Sequence, residues 1–347
     1  RSALLHWSST WRGPTMPTPM NRRRFIASTS AVTSAIALPA LAQAPDRYPT
    51  RPITLVVPFP PGGAVDNSGR AIADRLGRVL GQPVIVENKG GAGGTIGTTQ
   101  VAKAQPDGYT LIVTSQTTHV INPALSASLP YDAVNDFAPI TLIDRLANVL
   151  LITPGLPVKN FAEFVKYVKE NPGKLNYASS GNGSLAYLSM ELLKAKLGLS
   201  ITHIPYRGAG PALTDLQAGQ VHMTWNNLSS NLSMAQNGRL RALAVASPIR
   251  APQLPDIPTF DELKLPELNL TSWTGLAAPA KTPESIVAQL YEAMRTVLRD
   301  PQTQRAWNDR GAMVPDTVKP AEFRKEIQQR IGFYKNIVKT HKISVDQ

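Results

Sequence analysis

Two glycine-rich segments of the sequence have the composition of loops that bind anions. FPPGGAVD runs from Phe59 to Asp66, and SSGNGS runs from Ser179 to Ser184. Both lie between a short apolar run and a stretch with helical periodicity, and glycine there lets the backbone approach a ligand closely. The free N–H groups of a helix's first turn attract negative charge, so the two loops predict a carboxylate site. Ordinary turns, with Asp66 and Ser184 as helix N-caps, account for the same residues equally well.

An arginine stands at the end of a further apparent strand. Tyr206, Arg207 and Gly208 follow the run Ile201–Ile204. A guanidinium in that place can hold a carboxylate through two parallel hydrogen bonds. A surface arginine without a ligand explains the residue as well, and the sequence leaves both interpretations open.

Features of a catalytic or metal centre are lacking in the sequence. The chain contains no cysteine, which excludes disulfides, thiolate metal sites and cysteine nucleophiles. Its histidines show no metal-ligand spacing, no Walker loop is present, and Ser115 and Ser184 lack the G-x-S-x-G surroundings of a nucleophilic serine. The third glycine of Gly91–Gly97 falls one place late for a dinucleotide fingerprint, so this segment predicts only a turn. We expect no enzyme activity, no catalytic residue, no metal and no cofactor.

Short apolar runs alternate with segments of helical periodicity along the chain. Strands are predicted at 53–58, 84–87 and 110–114, with helices between them, and this order implies a largely parallel sheet with helices on both faces. A second series predicts strands at 148–153, 175–179, 201–205, 221–225 and 240–246. The final part predicts a strand near 270–278 and two helices, which carry Val287–Val297 and Phe323–Val338. The pattern favours an α/β protein with two doubly wound lobes.

The N-terminal part of the chain has the layout of an export signal. Of the 347 residues, Met20 to Ala44 comprise a basic head, a weakly apolar stretch rich in Ala, Ser and Thr, and small residues suited to cleavage near Ala42 or Ala44. Asn21–Ile26 (NRRRFI) resembles a twin-arginine signal. A membrane anchor is the alternative, but the Ser, Thr and Pro residues of the stretch make a poor spanning helix. Residues 1–19 are expected to be upstream or vector-derived sequence.

The net charge of +12 comes partly from this segment. Residues 1–44 hold five of the 36 Lys and Arg residues and none of the 24 acidic ones, so the rest of the chain carries +7. That remainder contains no dense Lys/Arg run interleaved with aromatic residues, so nucleic-acid binding is not expected. The remaining positive charge favours an anionic solute as the partner.

A series of longer segments points to one protein family. They read VVPFPPGGAVD at 56–66, VIVENKGGAGGTIGT at 84–98, QPDGYTL at 105–111, NYASSGNGS at 176–184, HIPYRGAGPALTDLQAG at 203–219, GRLRALAVAS at 238–247, PDIPTFDEL at 255–263 and SWTGLAAPAKTP at 272–283. In this order they resemble the Bug proteins, the solute receptors of tripartite tricarboxylate transporters in Gram-negative bacteria. The similarity covers essentially all of 48–342.

The resemblance implies a type II periplasmic-binding-protein fold, with two doubly wound α/β lobes and a ligand cleft between them. The chain would cross between the lobes twice, so its last part would return to the first lobe. By analogy, lobe 1 comprises 45–148 and 270–347, and lobe 2 comprises 149–269. The resemblance also implies a periplasmic location, and we expect a monomer.

Members of the Bug family hold a ligand carboxylate through the two glycine-rich loops, by backbone N–H groups and ordered water. Carried over to this sequence, the loops imply ligand contacts from Phe59, Pro60, Gly62, Gly63, Asp66, Ser180, Gly181, Asn182 and Ser184. The rest of the cleft would draw on Ser115, Thr117, Tyr206, Arg207 and Asn226. Tyr187 stands where many relatives have histidine, and Met223–Asn226 (MTWN) replaces a common Met-Phe-Asp pattern. With no acid at 226, nothing there argues for a free amino group on the ligand.

We therefore expect an exported receptor that captures a small carboxylated molecule between two lobes and closes around it. Delivery would be to the membrane permease subunits of a tripartite tricarboxylate transporter. A ligand-sensing receptor for a signalling partner, without transport, would use the same residues and is the alternative.

Overall fold

The computed structural model describes residues 48–126 and 128–343, together with Thr10 and Gly13. The export signal predicted on Met20–Ala44 lies outside these residues. Within them, no helix combines the length and the apolar composition that crossing a membrane requires. A compact unit of the chain begins at Tyr48.

The first part of this unit alternates strands and helices, as the periodicity predicts. Its elements are β1 (Ile53–Val57), α1 (Ala64–Leu80), β2 (Val84–Asn88), α2 (Thr95–Ala102), β3 (Thr110–Ser115), α3 (Asn122–Leu125) and β4 (Phe137–Leu146). A 3-10 turn at Ala92–Gly94 precedes α2, and a π-helical turn at Thr117–Ile121 precedes α3. Ile72, Ala73 and Leu76 are buried along one face of α1, which explains why this segment folds as an amphipathic helix.

The second part builds another sheet and then returns to the first. Its elements are β5 (Asn148–Ile152), α4 (Phe161–Glu170), β6 (Asn176–Ser179), α5 (Leu185–Leu197), β7 (Thr202–Pro205), α6 (Ala209–Gln217), β8 (Met223–Asn227), α7 (Leu228–Gln236) and β9 (Arg241–Ala246). The chain continues with β10 (Ser272–Pro279), α8 (Glu284–Arg299), α9 (Pro301–Asn308), β11 (Ala312–Met313) and α10 (Pro320–His341). Each strand that the sequence predicts is present, and its ends lie within about two residues of the predicted ones.

The strands form two mixed sheets. One has the order β11-β4-β10-β3-β1-β2, and the other has the order β7-β6-β8-β5-β9. β1 pairs in parallel with β2 and β3, and β6 pairs in parallel with β7 and β8, as the β-α-β pattern predicts. β10 and β5 are antiparallel to both of their neighbours, so the prediction of a largely parallel sheet is wrong for these strands. The reason is that the chain enters them from the other sheet and not through a crossover helix.

The passage between the two sheets is direct. A single residue, Ala147, separates β4 from β5, and the return runs through β10, whose eight residues are all buried. Two mixed sheets with packed helices confirm the predicted α/β class. The lobe limits at 148/149 and 269/270 stay a prediction.

The sequence pattern does not reveal β4, because a proline and two charged residues interrupt its apolar run. One of the charged residues, Asp144, is nonetheless buried. Its carboxylate accepts hydrogen bonds from Ser68 Oγ at 2.5 Å, Thr274 Oγ1 at 2.6 Å, Thr274 N at 3.2 Å and Trp307 Nε1 at 3.1 Å. These donors come from α1, β10 and α9, so one carboxylate joins three elements to β4.

The last helix packs against both parts of the fold. The guanidinium of Arg145 on β4 donates two hydrogen bonds to Glu326 on α10, at 2.8 and 2.9 Å. Phe323 and Tyr334 of α10 are buried in the same hydrophobic cluster as Leu150 of the second sheet. A continuous core therefore runs from α10 to the second sheet.

Replacing Asp144 by alanine would leave the donors of Ser68, Thr274 and Trp307 buried without an acceptor. An unpaired buried donor costs about 1–3 kcal/mol, so we expect the free energy of unfolding in urea to fall by at least about 3 kcal/mol. Asp74→Ala is the control, since 68% of this side chain on α1 is exposed. It should change the free energy by less than about 0.5 kcal/mol. Equal effects from the two variants would contradict the buried network.

Candidate functional site

A cavity of about 60 Å³ lies where strands of both sheets end. It is lined by Val65, Ser115, Gln116, Thr117, Leu146, Asn148, Ser180, Leu185, Ala186, Trp225, Asn226, Asn227, Ser272, Trp273 and Thr274. None of these residues is charged. Among the described residues, no three His, Asp or Glu side chains are grouped as a metal site would require. A broader depression of about 710 Å³ on α1 and β2 contains none of the predicted site residues.

The first turns of two helices, one packed on each sheet, contribute to this cavity. Val65 belongs to α1, and Leu185 and Ala186 belong to α5. Within the described part of the chain, no side chain caps α1, whose N-cap is Gly63. Backbone N–H groups of such turns carry partial positive charge, which suits an anion in a cavity lined without cationic side chains.

The carboxylate of Asp66 shapes the loop that precedes α1. It accepts hydrogen bonds from Gly62 N at 2.9 Å, Arg70 Nε at 3.0 Å and Asn88 Nδ2 at 2.8 Å. Asn88 Nδ2 also donates to Phe59 O at 3.0 Å, which ties the loop to β2. Asp66 is the third residue of α1 and Gly63 is the N-cap, so the interpretation of Asp66 as an N-cap is wrong, although the helix does start near it. The reason is that its carboxylate reaches back to the loop, and the helix begins two residues earlier.

Two opposing effects act on the ionisation of Asp66, which is 2% exposed. Burial alone would raise the pKa of its carboxyl. Hydrogen bonds from Arg70, Gly62 and Asn88, with the positive charge of Arg70, outweigh burial and hold this pKa below its ordinary value. The carboxylate is therefore ionised at neutral pH and keeps the loop in one shape.

Serine side chains hold the loop that precedes α5. Ser184 Oγ accepts from Tyr187 N at 3.2 Å, so Ser184 is the N-cap of α5. Ser179 Oγ accepts from Gly181 N at 3.2 Å and pairs with a histidine of β7 at 2.7 Å. Ser180 lies between these anchors and lines the cavity. The loop therefore presents one serine to the cavity and uses its neighbours for its own geometry.

A third glycine-rich segment, Gly90–Gly94, meets the loop before α5. A Cβ atom added to Gly93 would lie 3.2 Å from Asn182 O, and one added to Gly181 would lie 3.5 Å from Gly93 N. The sequence predicted only a turn here. The turn is present, and it is also a place where loops from the two sheets touch.

The segment after β7 makes a second contact between loops of the two sheets, at Gly208. Gly208 has a φ of +134°, which favours glycine, and a Cβ atom there would lie 2.8 Å from Pro60 Cδ. Tyr206 donates its hydroxyl to Asp215 Oδ2 at 2.6 Å, and Arg207 is exposed. Neither Tyr206 nor Arg207 lines the cavity, so the structure does not bring the predicted arginine to it.

Twelve of the fourteen predicted ligand residues divide into two groups, and Tyr206 and Arg207 belong to neither. Ser115, Thr117, Ser180 and Asn226 line the cavity. The others form or flank the two loops around it: Phe59, Pro60, Gly62, Gly63, Asp66, Gly181, Asn182 and Ser184. The part that each residue takes in binding stays a prediction.

The sequence does not predict that residues of β5 and β10 line the cavity. Asn227 Nδ2 donates to Asn148 Oδ1 at 2.8 Å and to Ser272 Oγ at 2.6 Å, so three strands meet at the cavity. Trp273 lies beside Ser272 and is also buried. Polar residues at the start of otherwise apolar strands, such as Asn148 and Ser272, were the available signal.

Residues 69–343 match the family described as tripartite tricarboxylate transporter family receptor. The chain belongs to this family. The resemblance to the Bug proteins is confirmed by BugT of Bordetella pertussis, which is 35% identical over 323 residues. The match covers 92% of this chain and 98% of BugT.

Two solved structures from Rhodopseudomonas palustris share the fold of this receptor. MatC, solved with bound malate, is 37% identical with a TM-score of 0.80, and the match covers 84% of this chain and 100% of MatC. A second protein, solved with adipate, is 35% identical with a TM-score of 0.82 and coverages of 86% and 99%. The predicted periplasmic-binding-protein fold is thus confirmed, and the family is one of solute receptors and not of enzymes.

Asp66→Asn tests how the first loop of the receptor is held. Because the pKa of Asp66 is lowered on folding, its carboxylate stabilises the fold above the unfolded-state pKa of about 3.9, and this stability is lost as pH falls through the lower folded-state value. We expect the variant to lose about 2 kcal/mol of unfolding free energy at neutral pH in urea titrations. The difference from the unaltered protein should shrink below about pH 4.

The control for this experiment is Asp74→Asn, which changes an exposed carboxyl on the same helix. It should alter the unfolding free energy little at any pH. A deficit of Asp66→Asn that stays constant as the solution is acidified would contradict the assigned role of the carboxylate.

Proposed function

We propose that this chain is a periplasmic receptor that binds a small carboxylated solute between its lobes and delivers it to the permease subunits of a tripartite tricarboxylate transporter. The observation that carries the proposal is that the first turns of α1 and α5 line one uncharged cavity. Backbone N–H groups at two helix N-termini can hold a carboxylate without a cation. The proposed lobes are 45–148 with 270–347, and 149–269, and the receptor acts as a monomer.

Binding by both helices couples the solute to closure of the lobes. α1 packs on the first sheet and α5 on the second, so a solute held by both stabilises the arrangement in which they are near each other. The closed receptor presents a surface from both lobes, which the permease can recognise. The predicted export signal supports the periplasmic location.

Relatives support the class of solute. Malate is bound to MatC, and adipate is present in the structure of the second Rhodopseudomonas palustris protein. A micromolar dissociation constant corresponds to about −8 kcal/mol, which a few charge-assisted hydrogen bonds in a closed cleft can supply. Small dicarboxylates are therefore the first solutes to test.

Malate, adipate and their diamides form a direct test of the anion site. At a concentration of about 100 dissociation constants, a bound dicarboxylate should add about 2.7 kcal/mol to the unfolding free energy and raise the thermal midpoint. The diamides should have no effect, because they bring no negative charge to the helix N-termini. An equal response to an acid and its diamide, in thermal shift and calorimetry, would contradict carboxylate recognition.

Gly208→Ala tests whether closure is part of binding. The added methyl group would lie 2.8 Å from Pro60 Cδ, so it would hold the segment after β7 away from the loop before α1. We expect about tenfold weaker binding of the solute that the first test identifies. Gly238→Ala is the control, because Gly238 also has a positive φ of +75° but open space around it. Similar affinities in the two variants would mean that this contact plays no part in closure.

A further inference from the structure

A histidine next to the loop before α5 lies outside the cavity lining. His203 on β7 is the register partner of Tyr177 on β6, so its side chain projects from the same face of the sheet as Tyr177 and Ser179. Helix α5 packs on this face and brings Tyr187 to the imidazole ring. The fold thus places an imidazole directly beside the first residue of the loop.

One hydroxyl group connects this histidine to the loop. Ser179 Oγ lies 2.7 Å from His203 Nε2, 3.1 Å from Gly181 O and 3.2 Å from Gly181 N. Gly181 O also accepts from Ser184 N at 3.1 Å, and Ser184 is the N-cap of α5. The contacts therefore run from the imidazole through Ser179 and Gly181 to the first turn of α5, which lines the cavity.

The three contacts of this hydroxyl assign the proton of the imidazole to one nitrogen. A hydroxyl has one proton to donate and two lone pairs that accept. Because Gly181 O can only accept and Gly181 N can only donate, the Ser179 hydroxyl donates to the first and accepts from the second. His203 Nε2 must then donate to the remaining lone pair. The Nε2–H tautomer is the one that satisfies all three contacts.

The surroundings of His203 keep its ring neutral and in place. Burial lowers the pKa of the imidazole to about 4, an effect that Glu191 opposes and Lys194 reinforces. Tyr177 stacks on the ring with 4.7 Å between centroids, and Tyr187 lies at 4.9 Å. These two rings restrict rotation of the imidazole, so Nε2 stays directed at the hydroxyl.

We propose that His203 is a positioning residue for solute binding: its Nε2–H turns the hydroxyl of Ser179 towards the loop, and this fixes the backbone that presents Ser180 and the first turn of α5 to the cavity. The inference rests on the proposed function and adds a requirement to it, because the carboxylate site then depends on a side chain outside the cavity lining. Without the imidazole donor, the hydroxyl is free to turn away from Gly181 O. The start of the loop then loses a bond to the carbonyl that also holds the N-cap.

Replacing His203 by leucine and by glutamine separates binding from folding. Both variants lose the stacking on Tyr177, so both should lower the thermal midpoint of the solute-free protein by similar amounts. Glutamine keeps an N–H donor at the place of Nε2, and leucine has none. Calorimetry is run with malate, adipate, citrate, glutamate and benzoate. For the solute that binds best, we expect His203→Leu to bind at least about tenfold more weakly, and His203→Gln to stay within about threefold of the unaltered protein.

His222→Leu is the matched control. His222 precedes β8, and its Nδ1 lies 2.9 Å from the side chain of Asn176, the first residue of β6, whereas the loop follows the last residue of β6. This variant should change the affinity less than about twofold. The double variant of His203→Leu and Ser179→Ala should bind no more weakly than Ser179→Ala alone, because the histidine acts through that hydroxyl.

A readout on the solute-free, unaltered protein keeps the test decisive if a variant fails to fold. Long-range ¹H–¹⁵N spectra at neutral pH should show the ring of His203 as neutral, with its proton on Nε2. A proton on Nδ1, unchanged affinity in His203→Leu, or equal losses in the leucine and glutamine variants would overturn the positioning role and leave the carboxylate receptor intact. If the unaltered protein binds none of the five solutes, the proposed function is overturned, and the positioning role with it.

Discussion

The geometry of the cavity depends on one buried carboxylate. Asp144 receives hydrogen bonds from Ser68 on α1 and from Thr274 on β10, and both of these elements line the cavity. Burial raises the pKa of Asp144, and the donors around it oppose that effect by stabilising the ionised form. Its oxygens are bonded to donors from three other elements, so neither is left unpaired in the core. The carboxylate thus fixes α1, and with it the helix N-terminus, relative to the strand that carries Trp273.

A cavity lined without charged side chains has consequences for recognition. Under the proposed function, fixed N–H dipoles would hold an anion inside it, and their number and direction would decide which solutes fit. Hydrogen bonds are stronger in a site from which water is excluded, and water replaces them when the lobes part. Under the proposed function, this reversibility would favour release of the solute, because no buried cation is left unpaired on release.

Local signals account for what the sequence could predict. Apolar runs, helical periodicity and glycine-rich loops depend on neighbouring residues, so most strands, most helices and both glycine-rich loops could be located. The role of Asp66 as an acceptor involves Asn88, which is 22 residues away in the sequence. The burial of Asp144 within β4 requires donors from three other elements, so the local sequence does not mark this segment as a strand. The sequence marks Trp225 only as part of a replaced family pattern and does not mark Trp273, because the unpaired N–H group that each indole has among the described residues is a property of the three-dimensional surroundings and not of the residue type.

The contacts between loops of the two lobes consist largely of backbone. Gly93 approaches the carbonyl of Asn182, and Gly208 approaches the ring of Pro60. Surfaces of this kind cover little apolar side-chain area, so bringing them together changes the heat capacity of the system only slightly. Under the proposed function, the enthalpy of closure would then vary weakly with temperature, apart from the contributions of the solute and of Trp225 and Trp273 in the cavity lining. Under the proposed function, the temperature dependence of binding would then depend mainly on the solute and on the cavity lining, and little on these loops.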